Sequence, residues 1–399
     1  MRATASSLLL VIVLFATVGC ATRSFSPEDP ASYPFLGRGI TQSEGPVRVT
    51  AAVPDAAETS AAFGLPLYDK GIQPVWIELE NTGSSPIRIT IWSIDPDYYS
   101  PLEVAWMHRG GFSSDGKAEM ERWFHDNALP RRIPAGESRS GFVYTHLSQG
   151  TKGFNLDAFN SNEDFNFTFF VPMPGFTADY MQVNFDELYS NTEIQQLTRE
   201  QIRTAARSFA CCSTDESGTG TGDPFNLLLI SSGDNLRRAL LRAGWDETEA
   251  DSAVTVAARA QRYRGRRPDG TFEKSRSDGS ERKELRLWLA PMLIDGERVW
   301  LGQASQELNA SQVASDAYRI DPDIDQARDY VLQDFWYSQS VLRAGFTEGG
   351  ETVSIDAPRD TFSGARYFTD GLRVVMWIAD EPIGLDEADV LLWGNLDDE

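Results

Sequence analysis

Apolar and polar residues follow two different rhythms along this chain. In the first half they alternate: Val75, Ile77 and Leu79 with Trp76, Glu78 and Glu80, then Ile87, Ile89 and Ile91 with Arg88, Thr90 and Trp92. A period of two marks strands with one buried and one wet face. The Asn81-Thr82-Gly83-Ser84-Ser85-Pro86 stretch between the two runs predicts a hairpin. Val47 to Val53, Gly141 to Leu147 and Phe165 to Val171 supply further strands. Short strands across residues 47–185 predict a β-sandwich domain of immunoglobulin-like architecture, although no Cys-Trp-Cys pattern accompanies them.

Residues 186–222 read as a helix and linker. Thr198-Arg199-Glu200-Gln201 has the form of a capping box, and Ile202, Ala205, Ala206 and Phe209 follow at helical spacing. Ser213 to Gly222 holds Ser, Thr, Gly, Asp and Glu, which predicts a linker and a domain boundary. The second half then mixes element types. Phe225 to Ile230 is a buried-strand run; Leu236, Leu240 and Ala243 mark a helix stopped by Gly244; Ala250 to Tyr263 reads as another helix. Arg264 to Arg282 reads as a basic loop, and Leu285 to Pro291 with Val299 to Ser305 flank the hairpin signal Asp295-Gly296. A helix opened by Asp321-Pro322-Asp323 and a strand from Leu372 to Ile378 complete an α+β pattern. The domain is expected over residues 223–348, with a strand and acidic tail in 349–399.

The first residues concern location. Arg2, the apolar run Leu8 to Ala16 and then Thr17-Val18-Gly19-Cys20 have the order of a secretory signal. The run is short for a spanning helix, which needs about 20 predominantly apolar residues. The tetrapeptide resembles the bacterial lipobox, with Thr17 where Leu is commonest, and the resemblance implies removal of residues 1–19 and lipid attachment at Cys20. An ordinary cleaved signal with Cys20 incidental is the alternative. Residues 20–46, rich in Ser, Pro, Gly and acids, read as a tether. The expected location is the bacterial envelope, facing the periplasm, and Ala21 in place of an Asp points to the outer membrane.

Composition narrows the function classes. A net charge of −23 argues against nucleic acid as a partner, leaving the membrane, reached through the lipid, and an envelope protein or lipid. The three histidines, His108, His125 and His146, all fall in the first half, so the commonest general base and metal ligand are missing after residue 146. No cofactor is expected.

Four ordered motifs carry a family resemblance. Asp223-Pro224-Phe225-Asn226-Leu227-Leu228-Leu229-Ile230; Ala243-Gly244-Trp245; Leu285-Arg286-Leu287-Trp288 with Val299-Trp300-Leu301-Gly302; and Ile320-Asp321-Pro322-Asp323-Ile324-Asp325 with Ala327-Arg328-Asp329-Tyr330 together resemble the LssY C-terminal domain over residues 223–346. The resemblance implies a fold and an envelope context but no catalytic residues. In that family the domain often follows membrane-embedded segments similar to lipid phosphatases, whereas here the sandwich and the anchor signal precede it.

Two clusters are candidates for chemistry. Asp321, Asp323, Asp325 and Asp329 could supply oxygen ligands to a hard cation. The simpler reading makes Asp321 an N-cap, Pro322 the first helical residue, and the other acids partners of the helix dipole. Adjacent Cys211 and Cys212 could close a vicinal disulfide, bridge two chains or stay as free thiols. The sequence therefore predicts an anchored lipoprotein with a non-catalytic binding or structural role. The alternative is a metal-assisted hydrolase of lipid or phosphate esters using the Asp321 to Asp329 cluster.

Overall fold

A computed structural model describes residues 23–249, 260–275, 281–309 and 318–392. The signal and Cys20, most of the predicted helix from Ala250, and the last acids of the tail lie outside the described residues. Among the described residues no helix is long and apolar enough to cross a membrane.

The first half is built on two four-stranded antiparallel sheets. One has the order β1-β2-β3-β6, from Ile40–Glu44, Val47–Ala52, Ile72–Asn81 and Glu137–His146. The other has the order β5-β4-β7-β8, from Arg132–Ile133, Ile87–Thr90, Lys152–Phe159 and Asp164–Val171. Val49, Ile77 and Leu79 of the first meet Ile89, Leu156 and Phe167 of the second in one apolar core. The predicted hairpin is therefore corrected: its two runs form strands, but β3 and β4 belong to different sheets. The cause is Asn81, whose side chain accepts from Gly83 N (3.0 Å) and donates to the carbonyls of Ser85 (2.8 Å) and Pro134 (3.1 Å). These bonds lead the chain across the core instead of turning it back.

Three helices cover the outer face of the first sheet: α1 (Ala56–Phe63), α3 (Pro101–His108) and α4 (Ser114–Asp126); a short α2 (Ile91–Ile94) ends β4. The sequence reading missed them, although Asp55 with Glu58 and Ser100 with Glu103 form capping boxes at the starts of α1 and α3. Phe63, Val104 and Phe124 pack on Phe142 and Tyr144 of β6. The expected tether is also corrected, since Phe25, Tyr33 and Phe35 are buried in this aromatic cluster and β1 pairs along β2. Burying a Phe side chain contributes roughly 1.5–3 kcal/mol, enough to hold such a segment down.

The second half is organised by a ten-stranded mixed sheet. Its central path is β13-β14-β15-β16-β12-β21-β18-β22, with β17 on β16 and β9 on β15. The strands are β9 (Gln195–Leu197), β12 (Leu227–Ile230), β13 (Asp246–Glu247), β14 (Gly270–Ser275), β15 (Glu281–Ile294), β16 (Glu297–Asn309), β17 (Tyr318–Ile320), β18 (Val341–Glu348), β21 (Leu372–Ile378) and β22 (Asp389–Val390). Leu227 and Leu229 face helices α6 (Gly233–Arg242) and α7 (Ile324–Tyr337), while Leu228 and Ile230 face α5 (Ile202–Ser208). Asp295 and Gly296 turn β15 into β16 with φ of 49° and 87°, the turn their residue types predicted.

Three expectations change here. Ser213 to Gly222 is not an open linker: β10 (Cys212–Thr214) pairs with β11 (Thr221–Pro224), and Ser213 is buried. The basic loop contains β14, and two of its cations pair within the chain, Lys274 with Asp334 (2.9 Å) and Arg282 with Glu307 (2.6 Å). The strand Leu372–Ile378 lies between β12 and β18, so the unit expected at 223–348 does not close without it. The remaining ribbon, β19 (Arg359–Asp360) and β20 (Arg366–Tyr367), stands apart from the large sheet.

Gly141 is where the first sheet accepts the segment after α4. Phe142 N donates to Asn127 O (2.8 Å) and Leu129 N to Phe142 O (3.0 Å), and a Cβ on Gly141 would lie 2.5 Å from Leu129 N. Gly141→Ala is expected to destabilise the protein by about 1–3 kcal/mol, as overpacking against backbone does. Urea melts of the variant measure this, and an unchanged midpoint would contradict the close approach.

Candidate ligand-binding cleft

A cleft of about 620 Å³ opens between the segment Tyr180 to Asp186 and the large sheet with α6. Its floor is apolar, made by Leu236 of α6, Phe272 of β14, Leu287 of β15 and Trp300 of β16. One wall is the segment Tyr180 to Asp186, which crosses from the first half to the second; Phe185 meets Trp300 edge-on at 5.3 Å and Tyr180 stacks on Phe272 at 6.4 Å. Arg237, Arg298, Asp186 and Asp234 form a charged rim, with Arg298 paired to Asp186 at 2.7 Å. Concave, largely apolar sites with a few placed polar groups are the usual form of ligand pockets.

The cleft is held in shape by Glu247, which is fully buried. Its carboxylate accepts from Thr151 N of the first half (2.8 Å) and from the Tyr180 hydroxyl, and Arg237 approaches at 3.9 Å. Burial, then the bond to Glu247, raises the Tyr180 pKa, so the phenol keeps its proton and donates it. Beside it Asp246 accepts from Gln149 N (3.2 Å). Gly150 lies between these two donors with φ of +74°, and a Cβ there would fall 2.6 Å from a Glu247 oxygen. Arg237 and Arg238 also lie over Phe170 of β8, each 5.6 Å from the ring centre. Thus β13, α6, the β6–β7 loop and the crossing segment converge on one carboxylate.

The sequence-predicted cluster takes a different form. The helix starts at Ile324, not at Pro322, and Asp323 occupies the N-cap position without a side-chain cap bond. Asp321 instead accepts from Asp323 N (3.0 Å), because β17 holds residue 320 in the sheet and pulls the preceding backbone away from helical geometry. Asp325 accepts from Thr369 Oγ1 and Asp370 N, both at 2.7 Å. Arg328, buried, donates to Asp325, Asp329 and Asp370. Asp325 and Arg328 thus fasten α7 to the turn before β21, and among the described residues no group of His, Cys, Asp or Glu is arranged to hold a metal. Cys211 and Cys212 are joined in a vicinal disulfide close to Gly350.

The motif residues themselves form a buried polar set. Arg286 pairs with Glu284 (2.7 Å) and Asp223 (3.1 Å), Gln303 donates to Asp223 O, and Asn226 bridges the Ala304 and Ile324 carbonyls at 3.0 and 3.3 Å. Residues 203–372 match the LssY C-terminus family. The match spans α5 to the start of β21, so it extends the LssY-like unit beyond the 223–346 of the motifs. No curated protein matches the chain. The LssY-like unit contributes the floor of the cleft, and beside it Glu247 and Arg237 of that unit meet Thr151 and Phe170 of the first half.

Of the cleft residues, Leu236, Leu287 and Trp300 were named from sequence as parts of elements and motifs, but neither they nor Glu247 beside them were read as a site. Glu247 stands in a polar run after Gly244, where a glutamate ordinarily reads as solvated. The one usable signal was Gly150, a glycine between polar residues at a strand end.

Glu247→Ala is expected to cost about 3–5 kcal/mol, as removal of one partner from a buried charged set does, and Glu247→Gln clearly less because an amide oxygen still accepts from Thr151 N. Equal urea midpoints for the two variants would count against this arrangement. The junction also titrates. Burial holds Asp246 up at about 6 and brings Lys152 down to about 8. The folded state binds the Asp246 proton more tightly, so that contribution is lost as pH rises through about 6. It binds the Lys152 proton less tightly, so that contribution is full above 10.5 and lost as pH falls through about 8. Stability contributed by Lys152 should therefore rise across that alkaline interval, and Lys152→Met should remove the rise in a pH series of urea melts.

Proposed function

We propose that this chain is a bacterial envelope lipoprotein, anchored through Cys20 and facing the periplasm, in which the LssY-like domain acts by binding rather than by catalysis. The outer membrane is the favoured site because Ala21 follows the anchor. The first half is read as an immunoglobulin-like sandwich that serves as the mount for that domain. The observation that carries the binding reading is the cleft of about 620 Å³, whose apolar floor and charged rim suit a small amphipathic ligand from an envelope lipid or protein. The hydrolase alternative is disfavoured because Asp325 and Asp329 are committed to Arg328, and Asp325 also to the turn at Asp370. A hydrolytic site needs its carboxylates aimed at a shared reacting position.

Two measurements test this. Cys20→Ser should move the protein from the membrane to the soluble fraction and remove the mass of the lipid, since a diacylated amino-terminus anchors far more firmly than one acyl chain. Unchanged fractionation and mass would overturn the anchor. Purified wild type incubated with p-nitrophenyl phosphate and Mg²⁺ or Ca²⁺ should show no turnover above Asp325→Asn; metal-dependent turnover lost in that variant would establish the enzyme reading.

A further inference from the structure

Helix α3 carries its apolar residues on both sides. Val104, Ala105 and His108 are buried on the first half's aromatic cluster, as the inner face of a surface helix should be. The opposite arc consists of Leu102, Glu103, Trp106 and Met107, and three of these four are large apolar side chains, 46%, 54% and 37% exposed. Such an arc is ordinarily polar, and a cluster of exposed large apolar groups marks a contact surface. Trp106 is set for a partly wet environment. Its indole N–H donates to Glu121 of α4 at 2.8 Å, and the Arg109 guanidinium lies 5.5 Å from the ring centre. The ring is thus fixed and its polar atom satisfied without water.

The position of this arc in the chain identifies what covers it. Gly110 and Gly111 follow α3 directly, and Arg23 is pinned to that turn: its N–H donates to Gly111 O at 3.0 Å, and its guanidinium lies over Phe112 and donates to Gly64 O. Cys20 is three residues before Arg23. Three residues span at most about 10–11 Å, so a lipid on Cys20 brings the bilayer surface to within that distance of the Arg23 backbone and of the turn that ends α3.

We propose that the outer arc of α3 lies on the membrane, with Leu102, Trp106 and Met107 in the interfacial layer and Arg109 at the level of the phosphates. This rests on lipidation of Cys20 and adds an orientation to it: the lipid supplies the attachment, and the α3 face stops the body from swinging about it. Tryptophan and arginine are the side chains that settle at this depth. Glu103 and Glu121 beside the arc, together with the net charge of −23, favour a zwitterionic surface over an anionic one.

Hydroxyl-radical footprinting of the full lipidated protein on phosphatidylcholine vesicles, read by mass spectrometry, tests the proposal against soluble Cys20→Ser. Labelling of Trp106 and Met107 should fall severalfold on the vesicles, while Tyr337 on α7, 70% exposed, should label equally in both. Protein that carries its lipid and sediments with vesicles but labels Trp106 and Met107 as in solution would overturn the orientation and leave the anchor intact. Absence of lipid on Cys20 would overturn both. Protection seen in native envelopes but not on pure lipid would assign the arc to a protein partner and overturn the membrane contact.

Discussion

A carboxylate without exposure to water has to be satisfied by whatever surrounds it, and Glu247 imposes that condition where the two halves meet. An amide of the first half, a phenol of the crossing segment and an arginine of α6 meet it from three directions. Each donor arrives from a different stretch of chain. Their convergence sets how the crossing segment lies over the sheet, and the gap left under that segment is the cleft. Gly150 belongs to the same condition, because any side chain there would occupy the space of the Glu247 oxygens.

Buried arginines play a comparable part inside the LssY-like domain. Arg373, fully buried, donates to the carbonyls of Phe225, Ala206, Ala210 and Gly349, joining α5, the disulfide turn, β12 and the end of β18 at one point, and burial lowers its pKa to about 10. Arg286 and Arg328 hold two other junctions through carboxylates. A planar group with five donors suits such sites, since it can satisfy several acceptors in fixed directions at once. These links specify which loops meet more than they add stability, because desolvation offsets much of the attraction in a buried ion pair.

The distribution of polar groups separates the functional readings. In the Asp321 to Asp329 region the carboxylates point at backbone amides and at Arg328, the pattern of a joint between elements. In the cleft, by contrast, Leu236, Phe272, Leu287 and Trp300 share the lining with charged side chains, leaving space that the protein does not fill itself. The second arrangement is the one that supports the proposed binding role. The proposed membrane contact of the α3 arc would add a defined presentation of the body that carries the cleft.

The sequence alone determined the elements whose signals are local. Period-two alternation marked β3 and β4, short apolar-rich runs marked β2, β6 and β8, the Asp295-Gly296 pair marked the long hairpin because both residues accept positive φ, and ordered motifs marked the LssY-like domain. Tertiary structure decided everything that depends on a distant partner. Alternation cannot tell whether β3 and β4 pair side by side or face each other across a core, since both bury the same residues; the bonds of Asn81 to Ser85 and Pro134 decide it. A run such as Ser213 to Gly222 reads as a linker until its backbone finds a ladder, and Phe25, Tyr33 and Phe35 bind a would-be tether only because α1, α4 and β6 are there to receive them. Glu247 is the clearest case: nothing in its neighbours in sequence distinguishes it from a solvated glutamate, and its role arises from donors supplied by residues far from it along the chain.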